Sequence, residues 1–143
     1  MEPGPRSLRP GNRQTHLDIE ELERTPVHLP GAGDVRVNVA LQIDAFSGQR
    51  IVWLSRDELE TFSAQLRNLF DGLSDGASLQ AMSPDEFCLE VVTKNSRRHW
   101  RARVRLSAHV HGDDATTLAG AIDIDSEYQS EILNGFRSLA TTA

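Results

Sequence analysis

From Trp100 to His111 the chain alternates without a break. Trp100, Ala102, Val104, Leu106, Ala108 and Val110 fall on one parity, and Arg101, Arg103, Arg105, Ser107, His109 and His111 on the other. A period of two sends successive side chains to opposite faces of an extended chain, so this run reads as a half-buried strand and not as an amphipathic helix. A second run behaves the same way. Val35, Val37, Val39, Leu41 and Ile43 face one side, and Arg36, Asn38, Gln42 and Asp44 the other. Strands of this kind need an apolar cover on one face only.

Two stretches can supply that cover. "SRDE" (Ser55–Glu58) reads as a capping box, in which the Ser55 hydroxyl accepts from a first-turn amide. Leu59, Phe62, Leu66, Leu69, Phe70 and Leu73 then follow at helical spacing along one stripe, with Gly72 or Gly76 as the stop. Near the end of the chain, Ser126 and Gln129 suggest a second box, followed by a stripe of Tyr128, Ile132, Phe136 and Leu139.

Between these landmarks lie further strands and turns. Thr15–Leu22 reads as an edge-like strand, and Pro26 and Pro30 mark a turn-rich connection that includes "GAGD" (Gly31–Asp34). "FSGQR" (Phe46–Arg50) is expected to turn the chain so that Ile51–Leu54 returns beside the strand before it. Ala77–Met82 and Phe87–Thr93 are expected strands, Lys94–Arg98 and Gly112–Asp114 connections, and Leu118–Ile124 the last strand. The expected order is βββ-α-ββββ-α. Short connections favour antiparallel neighbours. The fold class expected is therefore α+β, with an antiparallel sheet of about six to seven strands and two helices packed on one face. Residues 1–14, with three prolines and two glycines, read as a disordered lead-in, and residues 15–143 as a single domain. The two halves, each a set of strands and then a helix, hint at duplication, although no residue-level repeat accompanies it.

Composition narrows the function. The charge of -6 gives the long-range field the wrong sign for general attraction to nucleic acid or anionic lipid. No apolar run is long enough to span a membrane, and no secretory signal is expected. A lone Cys88 suits a reducing, cytoplasmic setting and provides no zinc framework, and it has no local histidine to activate it. "GAGD" lacks the third glycine and following helix of a dinucleotide loop, so it reads as a turn, and no hydrolase, zincin or phosphate-loop motif occurs. Neither a catalytic residue nor a cofactor is expected.

Two charged groups are the candidate contact residues for a protein partner. Arg101, Arg103 and Arg105 project from one strand face, where they form either a solvated surface or a row that meets carboxylates. That face carries no interleaved aromatic residue for stacking bases, so a nucleic-acid role is not expected. Glu20 and Glu21 belong to the acidic "DIEELE" (Asp18–Glu23), either solvated or docking a basic partner. His109 and His111 share the arginine parity, with Asp113 beyond. Two histidines and one carboxylate fall short of a metal site, and none is expected. Asp123 and Asp125 share a face, and Asp125 reads as a helix-start cap rather than an acid catalyst.

The assembled pattern resembles the WapI family of bacterial immunity proteins. The likeness is carried by a strand ending in "FSG" (Phe46–Gly48), by "LSRDELETFSAQLRNLF" (Leu54–Phe70), by "ASL" (Ala77–Leu79), by "FCLEV" and by "AIDIDSEYQSEIL" (Ala121–Leu133). It covers most of residues 35–139. The arginine richness of Arg97–Arg105 is not part of that pattern. The resemblance implies a small intracellular protein that binds and neutralises a cognate toxin without catalysis. Two other readings stay open: a small-molecule-binding or enzymatic domain using a pocket between sheet and helices, and an oligomerisation module pairing through a strand edge.

Overall fold

A computed structural model describes residues 7–8, 11, 14–83, 85–95, 99–108 and 116–141. The strands are β1 (Ser7–Leu8), β2 (Thr15–Arg24), β3 (Val35–Ile43), β4 (Phe46–Leu54), β5 (Gly76–Gln80), β6 (Phe87–Asn95), β7 (His99–Ala108) and β8 (Thr116–Asp125). Helix α1 (Arg56–Phe70) follows β4, and helix α2 (Gln129–Ala140) follows β8. The seven long strands and two helices keep the expected order.

The expectation of one sheet is corrected. The strands form two antiparallel meanders, β1-β2-β3-β4 and β5-β6-β7-β8. Helix α1 intervenes between β4 and β5, so the chain starts a second sheet instead of extending the first. Periodicity fixes which face of a strand is buried but not which strand lies beside it.

The inner faces of both sheets and the stripes of both helices meet in one apolar core. The first sheet contributes Leu17, Ile19, Val35, Val37, Val39 and Leu41, and the second Leu79, Phe87, Leu89, Trp100, Val104 and Ile124. Phe62 of α1 meets Phe136 of α2 edge-on with centroids 4.8 Å apart. Phe70 meets Trp100 in the same manner at 4.6 Å, which puts Trp100 in the core as its parity required. Such ring pairs add about 0.5–1.5 kcal/mol beyond their buried area. At one seam the sheets touch directly. A Cβ on Gly120 of β8 would stand 1.5 Å from Ile43 Cδ1 of β3, so only glycine allows that approach without displacing Ile43. Arg50 of β4 and Glu86, before β6, bridge the same two halves at 3.0 Å.

The ends of α1 follow the sequence closely. Ser55 Oγ accepts from the Glu58 amide at 3.1 Å. Asp34 adds a second cap, its Oδ1 accepting from the Arg56 amide at 2.9 Å. The "GAGD" turn delivers that carboxylate, with the Asp34 amide donating to the Gly31 carbonyl at 2.9 Å. The helix stops at Gly72, whose φ of 77° is the left-handed conformation that glycine tolerates. The Leu73 amide then donates back to the Asn68 carbonyl at 2.8 Å and the Gly72 amide to that of Leu69 at 3.1 Å. Leu73, expected on the buried stripe, therefore lies past the helix and is exposed.

Two further expectations are corrected. The hairpin after β3 turns at Asp44–Ala45, and "FSGQR" lies inside β4, with Ile43 opposite Phe46. Ser126 does not cap α2. It opens a single 3-10 turn, Ser126–Tyr128, without a side-chain cap. The register explains the delay, because His99 pairs with Asp125 and keeps the chain extended to that point.

Candidate functional site

The outer face of the second sheet is a lattice set by strand register. Arg105 lies between Cys88 of β6 and Ala119 of β8, Arg103 between Glu90 and Ala121, and Arg101 between Val92 and Asp123. Trp100, Ala102, Val104 and Leu106 go inward, so the three arginines must point out. The small side chains of Ala119 and Ala121 leave an open depression of about 560 Å³ beside the arginines.

The three guanidinium groups are not equivalent. Arg101 Nε stands 3.5 Å from Asp123 Oδ1 and has no hydrogen-bond partner among the described residues. Asp123 itself accepts from Lys94 Nζ at 3.1 Å. That hydrogen bond, with Arg101 adding to it, holds the Asp123 carboxyl below the usual carboxylate range. Arg103 Nη1 donates to Glu90 Oε1 at 3.3 Å. Arg105 is exposed, and no carboxylate pairs with it among the described residues. Below this row His99 Nδ1 lies 3.1 Å from Asp125 Oδ1, which is how Asp125 is engaged at the end of β8.

The two acidic candidates are not brought to this face. Glu20 is exposed on the outer side of the first sheet, opposite Ser7 and Asn38. Glu21 is half-buried at a β-bulge and pairs with Arg24. Arg24 in turn donates to the Leu139 carbonyl at 2.8 Å and to that of Thr141, closing the end of α2. The sequence does not announce this role, because the partners are 115 and 117 residues away. The depression beside the arginines was equally hidden, since Ala119 and Ala121 become a floor only once β8 lies beside β7.

The first sheet carries a depression of the same size, about 560 Å³, at the topologically matching place. Its lining includes His16, Asp18, Ala40, Gln42, Ser47 and Gln49, and no arginine. Among the described residues no group of His, Cys, Asp and Glu could hold a metal ion, and His109, His111 and Asp113 lie outside them. Among the described residues no helix is long and apolar enough to cross a membrane.

The sequence matches the model of the immunity protein WapI-like family over residues 8–141. The chain belongs to that family. No curated protein matches it in sequence. In fold, this WapI-like chain is similar to the crystal structure of WHY1 from Arabidopsis thaliana, with a TM-score of 0.63 and 10% identity. The match covers 99% of this chain and 92% of that one. At that identity the likeness is one of fold alone.

Proposed function

We propose that this protein acts in the bacterial cytoplasm as an immunity protein, neutralising a cognate toxin by direct binding without catalysis. The family match over residues 8–141 carries the reading. The structure is compatible with it. The space between sheets and helices, where a small-molecule or enzymatic domain would have its pocket, is packed by side chains such as Phe62, Phe87, Phe136 and Leu59, all at 0–1% exposure. The two depressions described above open instead on outer sheet faces, where a macromolecule can reach them. Arg101, Arg103 and Arg105 form the contact row proposed on one of these faces, and Glu20 stands on the other.

Co-expression with candidate toxins from the same genome tests the proposal. Growth should be rescued from one of them and the two proteins should co-purify. If all of them kill equally well in its presence, the proposal fails.

A further inference from the structure

We infer that the depression on the outer face of the second sheet receives an extended acidic segment of a protein partner, with carboxylates at alternate positions meeting Arg103 and Arg105. The inference rests on the immunity reading and names the chemistry of its contact.

Three observations carry it. The depression gathers three arginines, of which Asp123 at its rim offsets Arg101 and Glu90 meets Arg103, so that Arg105 leaves a surplus of positive charge in a chain whose overall charge is -6. A local patch of the opposite sign to the whole molecule selects an acidic contact while the surrounding field disfavours loose attraction of polyanions. Next, the donors are free to act. Arg105 has no carboxylate partner among the described residues, and the Arg103 contact to Glu90 is a single bond at 3.3 Å. Guanidinium groups take carboxylates through paired N–H donors, so Arg105 can take an anion and Arg103 a second one. Finally, the spacing fits. Residues two apart on a strand stand roughly 6.5–7 Å apart, and an extended segment laid along β7 repeats its own alternate side chains at the same interval. Ala119 and Ala121 leave room for that backbone to come close.

The make-up of this face favours a peptide over a nucleic acid. The outward positions of β6 and β8 beside the arginines are Cys88, Glu90, Val92, Ala119, Ala121 and Asp123, with no aromatic platform among them, and His99 at the start of β7 is engaged by Asp125.

The test uses the full chain and a blocked seven-residue peptide of alternating Thr and Glu, with Gln replacing Glu in a control peptide and oligo-dT as a third ligand. Amide NMR shifts are followed on titration. The Glu peptide should shift Ala119, Ala121, Arg103 and Arg105 saturably and leave Ala40 and Gln42 of the first sheet still, and the Gln peptide should bind about tenfold more weakly or worse. Arg105→Glu should weaken the Glu peptide by about tenfold or more, and Arg105→Lys by less, with unchanged thermal melts. Ala119→Trp, which fills the depression and keeps every charge, should also abolish the shifts. Equal binding of both peptides, binding of neither, or tighter binding of oligo-dT overturns the inference. The toxin arm separates the two claims. A toxin complex that survives Arg103→Glu with Arg105→Glu overturns this inference and leaves the immunity role standing. A toxin that never binds removes the immunity role, while the peptide titration still judges the depression.

Discussion

Asp123 shows how one carboxylate can set the character of a whole face. It accepts from Lys94 at 3.1 Å and stands 3.5 Å from Arg101, so it neutralises the lower end of the arginine row and leaves the upper end, at Arg105, uncompensated. Its carboxyl is held below the usual range chiefly by the Lys94 hydrogen bond. A carboxyl lowered in the folded state contributes stability above its unfolded value, about 3.9, and loses that contribution as pH falls through the folded value. Asp123→Asn should therefore be slightly less stable than the parent at neutral pH, and the difference should vanish as pH falls through the lowered folded value. Both partners are well exposed and solvent screens them, so the gap should be about 0.5 kcal/mol. Urea melts from pH 2 to pH 7 measure it, and a gap that persists at the acid end would show that Asp123 acts through packing instead. Gly120 is legible for the opposite reason only after folding. Nothing in "LAGAID" announces that the neighbour of Gly120 is Ile43, seventy-seven positions earlier, yet a Cβ at Gly120 would collide with that side chain.

At the scale of elements, helix α1 was the most legible piece because its signals are local. The Ser55 cap, the stripe from Leu59 to Phe70 and the Gly72 stop all act within one or two turns. Ser55→Ala should cost about 1 kcal/mol, the usual value of a lost N-cap. Asp34 will hold part of that end, so Ser55→Ala with Asp34→Ala should cost more than either change alone, as chemical denaturation can show. Strands β3 and β7 were legible on equally simple grounds, since buried residues alternate from Val35 to Leu41 in one and from Trp100 to Leu106 in the other. Strand β4 was not. Its first half carries Phe46, Ser47 and Gln49 to solvent and turns Gly48 toward Leu118, so no apolar alternation marks it, and a glycine beside a serine suggested a turn. The true turn is Asp44–Ala45, where Asp44 takes a φ of 50°. The start of α2 was misread because a local box competed with a strand pairing at Asp125, and the pairing won. The depression beside the arginines could not be read at all from β7 alone. It exists because two alanines of β8 fall in register with Arg103 and Arg105.

Over the whole molecule, the two meander-and-helix halves raise the question of whether they stand alone. Their connections differ in kind. The seam between sheets holds a few polar links, among them Arg50–Glu86 at 3.0 Å and the Met82 amide donating to the Trp53 carbonyl at 2.9 Å. The interior holds far more, because Phe62 of the first half closes on Phe136 of the second and Phe70 on Trp100. An apolar sheet face must be buried against another element, and α1, which follows the first sheet, packs on β5 and β6 of the second and on α2. The two halves should therefore unfold together. Phe62→Ala removes a fully buried ring from the contact between halves and should cost about 3–5 kcal/mol. Hydrogen exchange distinguishes the alternatives. In a shared core, the amides of β3 and of β7 lose protection by the same amount in the variant, although Phe62 belongs to the first half alone. If only β3 loses protection, the halves are separate folding units, and the arginine face is then held by the second half without help from the first.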